Sequence, residues 1–124
     1  MKAVATREAP QAIGPYSQAI DAGLFVFVSG QIPLTAIGEP APGGVAEQTE
    51  QCLKNVGAVL AAAGLSMKDV VKTTVFMTDL SQFPAMNEAY AKRFAAPFPA
   101  RATVQVSALP KGAQVEIEAI AVRR

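Results

Sequence analysis

The sequence predicts an α+β fold in which two helices pack on one face of a mixed β-sheet. Three observations lead to it: short β-prone runs lie near both ends of the chain and once in the middle, two segments show helical spacing of apolar residues, and the elements follow the order strands, helix, strand, helix, strands. At 124 residues the chain is long enough to bury one hydrophobic core, so we expect a single domain over residues 1–124.

The first strands are predicted before residue 32. Short strands are expected over residues 3–6 and 17–20, and residues 24–28 form a continuous β-prone run that predicts a central strand buried on both faces. This run ends at Ser29 and Gly30. A small hydroxyl followed by glycine indicates either a β-bulge or a place where a ligand can approach the backbone closely.

Two helices are predicted, with a strand between them. After a loop rich in Pro and Gly over residues 33–44, apolar residues at a spacing of three and four predict a helix over residues 46–63, with Gly64 suited to the position after its end. Residues 70–78 are rich in Val and Thr and predict a strand. A second helix is expected over residues 82–95, ended by the prolines that follow.

The last two predicted strands carry the polar side chains that attract most interest. Arg101, Thr103 and Gln105 share one face of the first strand, and Glu116 and Glu118 share one face of the second. If the strands are neighbours, a cation and two carboxylates could meet on one surface. The guanidinium, at a strand start fixed by prolines, could grip a ligand carboxylate. The alternatives are a solvated polar face for the glutamates and an ion pair with one of them for the arginine.

Composition favours self-association and disfavours several kinds of partner. Hydrophobic residues make up 51% of the chain and charged residues 17%, which leaves more apolar surface than a small monomer readily hides, so a closed symmetric oligomer is expected. The net charge is +1, and Arg123-Arg124 is interpreted as a short basic tail, so nucleic acid is not expected as a partner. Because no apolar run suits a membrane span or a signal peptide, a cytoplasmic protein without membrane contact is expected.

The residue types present restrict the possible chemistry. The chain has no histidine and one cysteine, Cys52, which lies on the apolar stripe of the first helix and is predicted to be an inert core residue. These counts exclude the usual zinc sites, Cys-His pairs and Ser-His-Asp triads. Chemistry is left to carboxylates, Arg, Lys, Tyr, hydroxyls or backbone groups. No glycine-rich phosphate-binding motif occurs, so nucleotide binding is not indicated.

Seven short segments, taken in order, resemble the RidA/YjgF family of enamine/imine deaminases. They are AIGPYSQA (12–19), VSGQIP (28–33), TDL (78–80), MNE (86–88), PAR (99–101), LPKG (109–112) and VEIEA (115–119). The resemblance implies a chorismate-mutase-like subunit assembled as a homotrimer, with active sites in the clefts between subunits. It also implies that no metal and no organic cofactor is needed. The implied substrates are 2-imino acids and their enamine tautomers, such as 2-iminobutanoate and 2-iminopropanoate, which are hydrolysed to 2-oxo acids and ammonia.

The resemblance also implies roles for individual residues. Arg101 matches the arginine that holds the substrate carboxylate, and Glu116 matches the glutamate that handles the hydrolytic water. The matching cleft residues are Tyr16, Ser29, Gly30 and Asn87. Position 103 departs from many bacterial relatives, which have cysteine where this chain has threonine. The role there resembles a main-chain contact to substrate and water, so Thr103 is expected to be tolerated, and the preferred substrate stays open. Glu118 is expected to be a structural or cleft-edge carboxylate.

Two other functions remain open at this point. One is a non-catalytic trimeric module that binds 2-oxo acids in the same cleft. The other is a ribonuclease or translation inhibitor, which the missing histidine and the near-neutral charge disfavour.

Overall fold

A computed structural model describes residues 1–124 as one six-stranded sheet with two helices. The elements are β1 (Lys2–Val4), β2 (Ala19–Asp21), β3 (Phe25–Gln31), α1 (Val45–Ala62), β4 (Val70–Met77), α2 (Phe83–Ala91), β5 (Ala100–Gln105) and β6 (Val115–Val122). The strand order is β1-β2-β3-β6-β4-β5, and only the β4–β5 pair is parallel. The predicted mixed sheet is therefore confirmed.

Both helices cover the same face of the sheet. Helix α1 packs through Val56, Val59 and Leu60 against β3 and β6, and through Leu53 against a second cluster that includes Met86 of α2. The buried side chains of β6 alternate with more exposed ones, which are polar at Glu116 and Glu118 and apolar at Ile120 and Val122, as expected for a strand with one face on the core. The opposite face of the sheet has no helix over it in this chain.

The central strand β3 is buried on one face only, so the prediction that it is buried on both faces is wrong. Val26 and Val28 point at the helices and are almost fully buried, whereas Phe25 and Phe27 remain 41% and 45% exposed on the open face. The physical reason is that nothing within the chain covers that face. The pairing of β3 with β6 shifts between Val28 and Gln31, which confirms a β-bulge at the end of the strand.

The last two strands are not neighbours, so the condition under which their polar side chains could meet is not fulfilled. The strand β4 lies between β5 and β6, pairing parallel with the first and antiparallel with the second. Short loops favour hairpins, but the connection after β5 crosses over the end of β4 instead, where Val106 N–H donates to the carbonyl of Met77 at 2.8 Å. The strand carrying Arg101 is consequently an edge strand.

Helix α1 agrees with its prediction to within one residue at each end. Its end forms a Schellman motif, in which Leu65 N–H donates to the carbonyl of Leu60 at 2.9 Å and Gly64 adopts φ +78°. Cys52 lies on its inner face with no exposed surface, and Sγ is 3.6 Å from the carbonyl oxygen of Val115. Burial raises the pKa of this thiol, so Cys52 is an unreactive core residue as predicted.

Helix α2 is shorter than predicted, because it ends at Ala91 and not at residue 95. Lys92 and Arg93 donate to carbonyls three residues back, at Ala89 and Tyr90, which tightens the last turn before the chain leaves the helix. Phe94 still packs on Tyr90, with ring centroids 4.7 Å apart. The apolar spacing therefore runs on past the end of the helical backbone.

The interpretation of Arg123-Arg124 as a basic tail is wrong for Arg123. Its Nη2 lies 2.7 Å from Asp21 Oδ2 and donates to the carbonyl of Ala63 at 3.1 Å, and its Nε donates to the carbonyl of Gly23 at 3.3 Å. Arg123 thus joins the β2–β3 turn to the end of α1. Neither helix is long and apolar enough to traverse a lipid bilayer.

Candidate functional site

The residues singled out in the sequence fall into two separate recesses. The first is a cleft of about 620 Å³ between the segment before β2, the β3 bulge and the polar face of β6. Its lining includes Tyr16, Ser29, Gly30, Glu116 and Glu118. Five of the sequence-predicted positions therefore meet here, including the proposed water-handling glutamate.

The β3 bulge shapes the floor of this cleft. Ser29 Oγ donates to the carbonyl of Ser17 at 2.6 Å, so the hydroxyl is used to join the bulge to the segment before β2. Gly30 lies against Glu116: a Cβ added at position 30 would be 2.6 Å from Glu116 Oε2. The bulge is the alternative that the structure bears out, and the side chain that approaches the backbone of Gly30 is Glu116 of the same chain.

Glu116 is the carboxylate in this cleft whose pKa is raised. Burial raises the pKa of Glu116, and the nearby charge of Glu118 raises it further. Glu118 itself is exposed. The ion pairs of the chain involve Arg123 and Arg124 only, so neither glutamate has a cationic partner. A half-buried carboxylate with a raised pKa and no ion pair is suited to exchanging protons.

Tyr16 stands at the rim of the same cleft. Its side chain is about half exposed, and its hydroxyl accepts a hydrogen bond from Ile13 N–H at 3.4 Å. Lys111 also lines the cleft and has a left-handed backbone, with φ +61°.

The second recess, of about 400 Å³, lies between α2 and β5 and is lined by Asn87, Tyr90, Ala91, Phe98, Pro99 and Arg101. The guanidinium carbon of Arg101 is 4.8 Å from the ring centroid of Tyr90 and 5.5 Å from that of Phe83. No carboxylate pairs with Arg101, so the alternative of an ion pair with Glu116 or Glu118 is wrong. Asn87 is exposed on α2 at the edge of this recess.

Thr103 points to the same side of the sheet as Arg101. Its Oγ1 is buried and has no hydrogen-bond partner within the chain.

Arg101 and Glu116 lie on opposite faces of the sheet. Arg101 is in register with buried Thr73 of β4 and faces the helices, whereas Glu116 alternates with Val115 and Ile117, which occupy the helix side. The cation and the carboxylates therefore do not meet on one surface of the chain, a meeting that was considered only for neighbouring strands.

Two buried amides support the first cleft and were missed in the sequence. Gln18 accepts from Thr6 N–H at 2.7 Å and donates to the carbonyl of Pro10 at 2.7 Å, which holds the N-terminal segment in place. Asn55 of α1 donates to the carbonyls of Ile32 and Leu34, which holds the loop after the bulge. An asparagine three residues after Cys52 on the apolar stripe was the available signal.

The described residues contain no group of three or more His, Cys, Asp or Glu side chains that could hold a metal ion. The two recesses therefore present a guanidinium with aromatic rings on one side and a protonatable carboxylate at a strand bulge on the other.

Comparisons with known proteins find one family, and the matches extend over nearly the whole chain. A family model described as endoribonuclease L-PSP matches residues 6–123. The 2-iminobutanoate/2-iminopropanoate deaminase of Mus musculus is 50% identical over 123 residues, which cover 98% of this chain and 91% of the mouse protein.

Two solved structures are similar in both fold and sequence. RidA from an Antarctic Psychrobacter species matches with a TM-score of 0.95 at 44% identity, covering 99% of this chain and 100% of that one. TdcF of E. coli with bound serine matches with a TM-score of 0.94 at 48% identity, covering all of both chains.

Proposed function

Because the chain belongs to the YjgF/RidA family, we propose that it hydrolyses 2-imino acids, such as 2-iminobutanoate and 2-iminopropanoate, to 2-oxo acids and ammonia. The observation that carries the proposal is the pair of unpartnered groups: Arg101 has no carboxylate to bind, and Glu116 has a raised pKa in a cleft. Relatives that bear the deaminase name at about half identity support the same reaction.

In the proposed reaction Arg101 binds the substrate carboxylate through two hydrogen bonds. Glu116, in its ionised form, accepts a proton from a water whose oxygen attacks the C=N carbon, and it passes that proton to the imine nitrogen, which gives the carbinolamine. Glu116 then takes the proton of the carbinolamine hydroxyl and gives it to the amine as the C=O bond forms and the C–N bond breaks, which leaves the 2-oxo acid and ammonia. Acid–base catalysis of this kind contributes about 10²–10⁴-fold. The steps use no metal and no organic cofactor.

The remaining site residues have supporting roles in this proposal. Tyr16, Ser29 and Gly30 line the Glu116 side of the bound substrate, and Asn87 and Thr103 line the Arg101 side. At Thr103 we assign the contact to the main chain.

The proposed assembly is a homotrimer with sites between subunits. Since Arg101 and Glu116 face opposite ways, a closed ring of copies brings the Arg101 recess of one subunit to the Glu116 cleft of the next. The exposed rings of Phe25 and Phe27, 6.3 Å apart on the open sheet face, support burial of that face between copies. We place the activity in the cytoplasm, without a membrane or nucleic-acid partner.

A coupled assay tests the reaction: an imine is generated in situ and its decay is followed with and without the protein. Arg101→Ala should lose activity mainly through KM, and Glu116→Gln should lose kcat. The matched controls are Arg93→Ala and Glu39→Gln, which remove exposed charges outside both recesses. If Arg101→Ala hydrolyses the imine as fast as wild type, the proposal is wrong. A binding module without activity would instead bind 2-oxo acids in the wild type and in Glu116→Gln alike, with no turnover in either.

A further inference from the structure

The Arg101 guanidinium rests on an aromatic platform formed by Tyr90 and Phe83. These residues are seven apart on α2, and therefore lie on the same face two turns from each other. The distances of 4.8 Å and 5.5 Å from the guanidinium carbon to the two ring centroids are within the range of cation–π contact.

The Tyr90 ring is held from two further directions. Its hydroxyl forms a 2.7 Å hydrogen bond with Thr73 Oγ1, and both side chains are at least 95% buried. Phe94 stacks against it at 4.7 Å. Thr73 is also the register partner of Arg101 on the neighbouring strand, so the strand that carries the arginine and the ring beneath its guanidinium are fixed to the same point of β4.

A guanidinium is planar, and its five N–H donors lie in that plane. The contacts with the two rings supply no hydrogen-bond acceptor to these donors, and Arg101 also lines the recess with Asn87, Phe98 and Pro99. We propose that Tyr90, assisted by Phe83, is the positioning residue that aims the Arg101 fork and so gives the site its preference for ligands with a planar carboxylate. This inference rests on the proposed function, because it assigns the ligand carboxylate to Arg101.

The test compares two ligands, 2-oxobutanoate and 2-oxobutanamide, on the full-length protein by calorimetry or NMR titration. The ratio of their dissociation constants measures recognition of the carboxylate, and it does not change if part of the sample is unfolded. The variants are Tyr90→Phe, which keeps the ring, and Tyr90→Leu and Phe83→Leu, which each remove one.

In Tyr90→Leu we expect the preference for the carboxylate to fall by about 3- to 30-fold, the range of a partly desolvated cation–π contact. In Tyr90→Phe the preference should stay within about twofold of wild type even though Tm falls, since buried Thr73 Oγ1 loses its partner. Phe83→Leu should give a smaller loss than Tyr90→Leu, in line with the longer distance. Arg101→Lys should lose the preference although the charge remains, because an ammonium has no fork.

A purely structural Tyr90 would lower Tm in both variants and leave the ratio of dissociation constants unchanged, and that result would overturn the inference. An equal loss of preference in the Phe and Leu variants would overturn it as well, because the ring would not be the cause. If wild type shows no preference for the carboxylate, the proposed function and the inference fail together. If wild type prefers 2-oxobutanoate to 2-oxobutanamide and Tyr90→Leu shows the same preference, only the inference about Tyr90 is refuted, and the proposed function stands.

Discussion

The carboxylate of Glu116 lies directly over the α-carbon of Gly30, where a Cβ would approach Oε2 to 2.6 Å and Cγ to 3.2 Å. The position of this carboxylate therefore depends on a residue without a side chain in the neighbouring strand, at a bulge that turns the backbone toward the cleft.

Replacing Gly30 with alanine should reduce activity without reducing stability. The backbone at Gly30 is outside the left-handed region, so alanine fits it without backbone strain, and the added methyl must displace the Glu116 side chain. A displacement of about 1 Å costs on the order of 10²-fold in rate, so we expect kcat to fall by about 10- to 100-fold. Steady-state kinetics and a thermal melt on the same preparation check this.

The matched control is Gly57→Ala in the middle of α1, where the new methyl would meet Met67 Sδ at an ordinary 3.7 Å. It should stabilise the protein by about 0.5–1 kcal/mol through helix propensity and leave kcat unchanged. A Gly30→Ala protein with wild-type kcat would show that the close approach has no part in turnover.

The pH dependence should separate the two glutamates. Burial, and then the charge of Glu118, raise the pKa of Glu116. Because Glu116 acts in its ionised form, kcat/KM should fall on the acid side with an apparent pKa above the ordinary glutamate value. In Glu118→Gln this acid limb should move to lower pH while activity persists, since one cause of the raised pKa is gone.

The same raised pKa predicts a trend in stability. A carboxyl with a raised pKa stabilises the folded state fully below the pKa of the unfolded chain, and this contribution is lost as the pH rises through the folded-state pKa. Glu116→Gln should therefore gain stability relative to wild type as the pH rises through that range, as followed by urea unfolding at several pH values. If the acid limb of the kcat/KM profile does not move in Glu118→Gln, the charge of Glu118 is not a cause of the raised pKa of Glu116.

Mixing two impaired variants should restore activity, assayed at substrate concentrations far below the KM of Arg101→Ala, if the site is shared between subunits. Arg101→Ala lacks the anchor and Glu116→Gln lacks the base. In a closed trimer of both, one interface joins the intact arginine of one subunit to the intact glutamate of the next. Random assembly of equal amounts should give about a quarter of wild-type activity, because about three quarters of the trimers are mixed and each has one intact site. The measurement is imine hydrolysis after the variants are unfolded and refolded together.

The control is the same two variants refolded separately and mixed afterwards, which should stay inactive over the time of the assay. If trimers shown to be mixed by mass spectrometry remain inactive, Arg101 and Glu116 do not act in the same site.

Removing Arg123 should lower thermal stability much more than removing Arg124. Arg123→Ala loses a 2.7 Å ion pair with Asp21 and hydrogen bonds to the carbonyls of Ala63 and Gly23, so we expect Tm to fall by about 3–8 °C. The exposed pair of Arg124 with Asp69 is 3.6 Å long, and Arg124→Ala should lower Tm by less than about 2 °C.

The loss of thermal stability in Arg123→Ala should become smaller at acid pH. The Gly23 N–H, and to a smaller extent Arg123, lower the pKa of Asp21, and a lowered pKa stabilises the fold above the unfolded pKa and is lost as the pH falls through the folded one. Equal melting temperatures of Arg123→Ala and wild type at neutral pH would refute the role of Arg123 as a link.

Local chemistry in the sequence was enough to predict most elements. The apolar spacing and Gly64 defined α1, and the resemblance predicted the chorismate-mutase-like subunit that the solved relatives share. Strand order was not predictable in this way. Nothing in the residues of β5 and β6 states that β4 runs between them, because the pairing depends on contacts distant in sequence.

The open face of the sheet and the placement of the site residues could not be predicted for the same reason, because both depend on contacts distant in sequence. Phe25 and Phe27 have the same apolar character as Val26 and Val28, so the sequence did not distinguish a face covered by a helix from one left open. Spacing put Arg101 and Glu116 on polar faces, but only the sheet topology shows that these faces are opposite. The buried amides of Gln18 and Asn55 were missed because their hydrogen bonds are to carbonyls in loops.

The burial of Cys52 makes its thiol a reporter of the separation of α1 from β6. The thiol is sealed between α1 and β6, next to the carbonyl of Val115, and it is the only sulfhydryl in the chain. A thiol-specific reagent can therefore label the molecule only when these two elements separate. The labelling rate under native conditions measures how often that happens, which allows every variant above to be ranked for opening without denaturant and without an introduced cysteine.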